Sequence, residues 1–135
     1  MPNGFSVREG SLFCEAVSAD SLAQRFATPL YVYSQTAITD AFAEWTDAFG
    51  GADHLICFAV KANSNIAILK LLASLGSGFD IVSGGELRRV LAAGGDAAKV
   101  VFSGVGKSAA EIELALTARI RCFNVESASE LALIE

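Results

Sequence analysis

The first residue in this sequence that could do chemistry is a lysine closing an apolar run. Leu55-Ile56-Cys57-Phe58-Ala59-Val60 leads directly into Lys61. Desolvation beside such a run disfavours the ammonium, and a neutral lysine amine attacks carbonyl carbons, as Schiff-base formation requires. The competing reading is a strand-end lysine whose alkyl stem covers apolar surface while its charge reaches water. Composition alone leaves both open. Asp80 interrupts a second apolar run, Phe79-Asp80-Ile81-Val82. A carboxylate there must be exposed, paired or functional. Lys61 is its natural partner if the two runs are neighbouring strands, and a plain salt bridge is the bland alternative. Glu86 stands three residues after Ser83, where a helix-capping role could be its whole role.

Other chemistries fit less well. Cys14, Cys57 and Cys122 are odd in number and too far apart for a metal or redox motif. They are expected to be reduced, and the two in apolar runs, Cys57 and Cys122, to be buried. With a single histidine and no Cys/His cluster, no metal site is expected. His54 precedes its strand, away from the strand ends that carry chemistry in barrels. Gly106-Lys107-Ser108 resembles the end of a phosphate-binding loop, but the first glycine of that loop would fall at Val101, inside a strand. Gly104-x-Gly106-x-x-Ala109 matches a dinucleotide fingerprint only loosely, and earlier strand-helix units precede it.

These residues are positioned by a repeating unit. Runs at 55–60, 79–82, 100–102 and 121–125 read as strands, and the markers Phe58, Phe79, Phe102 and Phe123 are 21, 23 and 21 residues apart. Between them lie segments of helical spacing: Ile66, Leu69, Leu72 and Ala73; Leu87, Val90 and Leu91; Ile112, Ala115 and Leu116. Ser83-x-x-Glu86, Ser108-x-x-Glu111 and Ser127-x-x-Glu130 mark helix starts as capping boxes. Gly76 and Gly94-Gly95 mark helix ends. Four strand-helix units with short connections make an α/β fold. A period near 22 residues suits a (β/α)8 barrel of about 250 residues, of which four units are half; an open sheet of four or five strands is the rival. Before residue 28 little pattern is visible beyond a short helix at 21–26. Thr28 to Ser34 reads as a strand, and Ala37 to Phe49 as a helix ended by Gly50-Gly51.

The chain has 135 residues, enough for one domain, and is 53 % hydrophobic with a net charge of −5. So apolar a composition fits strands buried on both faces, or a piece whose apolar surface meets further chain. Its ten basic residues are scattered, which argues against nucleic acid. No run nears the roughly 18 apolar residues of a membrane span, and the first ten residues lack a signal core. No membrane partner and a cytoplasmic location are expected.

At this point the motifs match a known family. Phe58-Ala59-Val60-Lys61-Ala62-Asn63-Ser64-Asn65 resembles the cofactor-lysine motif of the diaminopimelate decarboxylase family, among the alanine-racemase-like, fold-type III enzymes that use pyridoxal 5'-phosphate (PLP). Four further blocks agree in order and spacing: Thr28 to Tyr33, Leu75 to Leu87, Val101 to Lys107 and Cys122 to Ser127. The resemblance covers residues 21–135. It implies the N-terminal half of a PLP-binding TIM-like barrel over residues 35–135, with residues 1–34 supplying a strand to a β-sandwich domain. It implies Lys61 as the lysine that carries the cofactor, Asp80 as the carboxylate that orients its amine, and Glu86 as a further cofactor-binding group. The implied reaction is decarboxylation of meso-2,6-diaminopimelate at its D-configured centre, giving L-lysine and carbon dioxide, the last step of lysine biosynthesis, in a homodimeric enzyme. The family's phosphate-binding loops and several substrate-binding residues fall beyond residue 135, so residues 1–135 alone are expected to hold PLP weakly and not to turn over. The alternatives are a non-catalytic PLP-binding barrel protein, which the resemblance supports only around the lysine, and a related basic amino-acid decarboxylase.

Overall fold

The computed structural model describes residues 4–135; the first three residues of the expected segment 1–34 lie outside the described residues. The chain divides into two compact units, Met1–Gly50 and Gly51–Glu135.

The first unit carries more strand than its sequence suggested. Strands β1 (Phe5–Arg8), β2 (Ser11–Cys14) and β3 (Val17–Ser18) form an antiparallel sheet in that order. Glu9 and Gly10 both take positive φ, 50° and 81°, the conformation that lets a two-residue turn match the twist of its strands. Helix α1 (Ala19–Phe26) follows, with Ser18 Oγ accepting the Ser21 N–H at 3.2 Å. The expected strand over 28–34 does not form. That segment is without strand pairing, and Tyr31 is 87 % exposed. Aromatic and β-branched residues favour a strand only where a neighbour accepts their backbone and packs their faces. The pairing here is taken by the local hairpins instead. Helix α2 (Gln35–Ala48) starts on Ser34, whose Oγ accepts the Ala37 N–H. Glu15 ties the hairpin to that start: its Oε1 accepts from Ser34 Oγ at 2.8 Å and from the Thr36 N–H at 2.9 Å. Those bonds, the Thr36 N–H first, hold its carboxyl below the usual glutamate range.

The second unit is the expected alternation. Strands β4 (Cys57–Ala59), β5 (Gly78–Ile81), β6 (Val100–Phe102) and β7 (Cys122–Phe123) lie parallel in chain order. Helices α3 (Ile66–Ser74), α4 (Gly84–Ala92), α5 (Ala109–Ala118) and α6 (Ala128–Ile134) alternate with them. Phe79, Ile81, Phe102, Leu69, Leu87 and Val90 are wholly buried, each worth about 1.5–3 kcal/mol in removing apolar surface from water. Of the expected helix faces, Ile66, Leu91 and Leu116 remain exposed. The cysteines divide: Cys14 is buried, Cys57 half-buried and Cys122 exposed. Neither Cys57 nor Cys122 is fully buried as expected; β4 and β7 are the two outer strands of the described sheet.

Parallel strands set the site by putting their C-terminal ends on one edge. Gly78 allows β5 to come close enough to its neighbours. A Cβ there would lie 2.6 Å from the Lys99 carbonyl oxygen and 2.8 Å from Cys57 Sγ. Gly76 and Gly94 close α3 and α4 at φ 88° and 83°, values that L side chains resist.

Candidate active site

Lys61, Asp80, Ser103 and Asn124 occupy successive C-terminal strand ends. Lys61 lies in a short 3-10 turn, Val60–Ala62, immediately after β4. Val60 closes the apolar run and is buried, while Lys61 faces solvent, so the desolvation expected of this lysine is not present and its charge reaches water as the competing reading had it. Ala59 is in register with Asp80, and Asp80 with Val101, so Asp80 stands one strand over from the lysine's turn. Ser103 directly follows β6 and Asn124 directly follows β7.

The expected ion pair between Lys61 and Asp80 is not formed. Asp80 Oδ1 instead accepts a hydrogen bond from Ser103 Oγ, and Ser103 Oγ accepts from Asn124 Nδ2 at 2.9 Å. A salt bridge is formed instead between Lys107 and Glu130. The physical reason is reach: Lys61 lies in the turn after β4, while Ser103, two residues past Asp80's partner Val101 and so on the same face of the sheet, brings its hydroxyl to the Asp80 carboxylate.

Two lysines therefore stand near these strand ends in different surroundings. Lys107 is buried, and its ammonium donates to the Gly104 carbonyl at 2.6 Å, the Asn124 carbonyl at 2.8 Å and Glu130 Oε1 at 2.6 Å. An ammonium has three N–H donors, and these three acceptors use all of them. Lys61 makes no hydrogen bond or ion pair with a described residue. Its side chain is open to solvent. Lys107 was not legible as a buried group, because Gly-Val-Gly-Lys reads as an exposed loop and its partners come from two later elements.

The helix-start glutamates do more than cap. Ser83 and Ser127 accept the N–H of Glu86 and Glu130 in turn, but the two carboxylates reach one residue further back than expected, to the N–H of Val82 and of Glu126, each at 2.7 Å. Glu111 does bond the Ser108 N–H, at 3.1 Å, and its other oxygen accepts the Gly84 N–H at 2.8 Å, joining the starts of α4 and α5. The Gly84 N–H is the main reason the Glu111 carboxyl lies below its ordinary value. For Glu130 the main reason is the Lys107 ammonium. Glu86 thus has one oxygen committed to the start of α4, which stands at the same end of the sheet as Asp80. His54 lies before β4, its Nδ1 2.8 Å from the Ala52 carbonyl oxygen. Among the described residues, no group of three or more metal-ligating side chains assembles, and no helix is long and apolar enough to cross a membrane.

Comparison with known proteins converges on one family. Residues 35–135 match the model of the pyridoxal-binding domain of the pyridoxal-dependent decarboxylases. The chain is 63 % identical over 125 residues to diaminopimelate decarboxylase of Neisseria meningitidis serogroup B, covering 93 % of this chain and 30 % of that protein. It is 56 % identical over 131 residues to the enzyme of that name from Pseudomonas aeruginosa, covering 97 % and 32 %. The crystal structure of diaminopimelate decarboxylase from M. jannaschii in co-complex with L-lysine superposes with a TM-score of 0.94 at 40 % identity, covering 99 % of this chain and 32 % of that one. The chain thus spans roughly a third of the length of the relatives it matches.

Proposed function

The chain belongs to the pyridoxal-dependent decarboxylases, through their pyridoxal-binding domain, and on that premise we propose that it is part of an enzyme that decarboxylates meso-2,6-diaminopimelate to L-lysine and carbon dioxide. The observation that carries the proposal is Lys61: an exposed lysine with no side-chain partner among the described residues, at a C-terminal strand end beside the strand that holds Asp80, while all three donors of Lys107 are taken. The identity to relatives called diaminopimelate decarboxylase, 63 % and 56 % in the two above, exceeds the 30 % to the lysine decarboxylase of Selenomonas ruminantium and favours this substrate among basic amino acids.

The residues present fit a pyridoxal group. Lys61 is the exposed strand-end lysine whose Nζ would be joined to a cofactor aldehyde. Asp80 keeps Oδ2 free of any described hydrogen bond while Oδ1 is anchored. PLP, when bound, supplies the electron sink for the charge left on carbon as carbon dioxide departs. The chain's own groups do the rest. Lys61 tethers and, once released, is a free amine able to carry a proton at Nζ. Asp80 orients that amine and stabilises its charged form. Glu86, fixed through Oε2 to the Val82 N–H, would be a further carboxylate at the cofactor's end of the sheet.

The domain division proposed is residues 1–34 as a contribution to a β-sandwich and 35–135 as the first half of the barrel. It is supported by the family match beginning at 35 and by the antiparallel sheet of the first unit. An apolar cavity of about 450 Å3 lined by Phe5, Leu12, Cys14, Leu22, Leu30 and Val32 suits further sandwich strands. A homodimer and a cytoplasmic location are proposed on the ground of family resemblance.

The test is carbon dioxide release by the protein carrying this segment at the length of its relatives. Release from meso-2,6-diaminopimelate, with little from L-lysine, L-ornithine or L-arginine, is expected. Preference for any of those three over diaminopimelate would contradict the substrate assignment.

A further inference from the structure

Asp80 is the end of a polar relay that crosses three strands, and its two other members have no part in the chemistry assigned above. A serine hydroxyl has one proton to give. Ser103 gives it to Asp80 Oδ1 and takes the Asn124 amide hydrogen on its own oxygen. The direction of the chain is thereby set from Asn124 through Ser103 to Asp80. Asn124 is itself held at both backbone groups: its N–H donates to the Phe102 carbonyl at 2.9 Å, and its carbonyl accepts from the buried Lys107 at 2.8 Å. Lys107 is in turn fixed by Gly104 and Glu130. The aspartate's orientation thus rests on fixed neighbours rather than on its own rotamer preference. A carboxylate within reach of a reacting group must be held to a fraction of an ångström to be effective.

We propose that Ser103 and Asn124 are positioning residues that fix the orientation of Asp80, Ser103 directly and Asn124 through Ser103, anchoring Oδ1 on the β6 side and leaving Oδ2 for the cofactor lysine. The inference rests on the assignment of Asp80 made above. Neither residue touches Lys61, so their effect passes through the carboxylate alone. Loss of the serine hydroxyl leaves Asp80 free to rotate and removes one hydrogen bond to a charged group.

The experiment is a set of variants in the PLP-loaded protein of relatives' length, read by steady-state kinetics and by pH titration of the visible cofactor band. Ser103→Ala is expected to lower kcat about ten-fold, the scale of one hydrogen bond to a charged group, with KM unchanged. Asn124→Ala should give a smaller loss of the same kind, and Ser103→Thr should restore the rate. The pH midpoint of the visible band should move in Ser103→Ala and return in Ser103→Thr. In an Asp80→Asn background, Ser103→Ala should add no further loss. A full ten-fold loss retained in that background, or a Ser103→Ala protein indistinguishable from wild type, would overturn the inference. If the unaltered protein itself lacks both the visible band and carbon dioxide release, the proposed function has failed instead.

Discussion

Replacing Lys107 by methionine separates a lysine that builds the site from the lysine that works in it. Methionine keeps the length and most of the volume but removes all three donors. Two carbonyl oxygens, of Gly104 and Asn124, lose their partner in a part-buried setting. Each orphaned acceptor costs about 1–3 kcal/mol, and Asn124 lies near enough to solvent to recover some of that. The two together should destabilise by about 2–4 kcal/mol, a large share of the roughly 5–15 kcal/mol that holds a typical protein folded. Glu130 also loses its cation. The assay is urea unfolding of the Lys107→Met protein against wild type, with borohydride labelling by PLP under folding conditions. A lower midpoint with the label still on Lys61 is the expected pair of results. A stability loss below about 0.5 kcal/mol would refute the claim that Lys107 is a structural anchor. Loss of label with stability intact would refute its separation from the chemistry.

Further outcomes follow from the same geometry. Glu111 and Glu130 have carboxyls held below the ordinary value of 4.5, so the unfolded chain binds more protons in that window. Their stabilisation is present above about pH 4.5 and drains as pH falls through the depressed folded-state values. Thermal melts from pH 7 to 3 should show that fall, made shallower by Glu111→Gln, and a pH-independent melting temperature would contradict it. Gly78→Ala should destabilise by about 1–3 kcal/mol, the usual cost of overpacking, because the Cβ meets the Lys99 carbonyl oxygen at 2.6 Å, a backbone atom; unchanged chemical unfolding would show that β5 is less tightly held than its contacts imply. Asp80→Asn should impair turnover more than cofactor retention, and equal loss of both would mean that the carboxylate only supports the fold.

Much of this was written in local pattern. The strand rhythm marked by Phe58, Phe79, Phe102 and Phe123 gives the four parallel strands, because burial on both faces demands continuous apolar runs. The three serine caps and the positive-φ glycines were legible because each satisfies a need of its own helix end. The hairpin at Glu9-Gly10 was missed because one glutamate at positive φ carries no residue-type signal. The strand at 28–34 failed because strand formation depends on a partner, which local composition does not encode. The apolar runs and their ends pointed to Lys61 and Asp80. They could not say that Asp80 would bond Ser103 and leave Lys61 free, since that depends on where the chain turns after Val60.

The most direct measurement is borohydride trapping of PLP followed by peptide mapping, on the protein at the length of its relatives and on its Lys61→Ala variant. Label confined to Lys61, and absent from Lys61→Ala together with the visible cofactor band, is the predicted result. Label on another lysine of this segment, or a visible band that survives Lys61→Ala, would contradict the assignment on which the whole account depends.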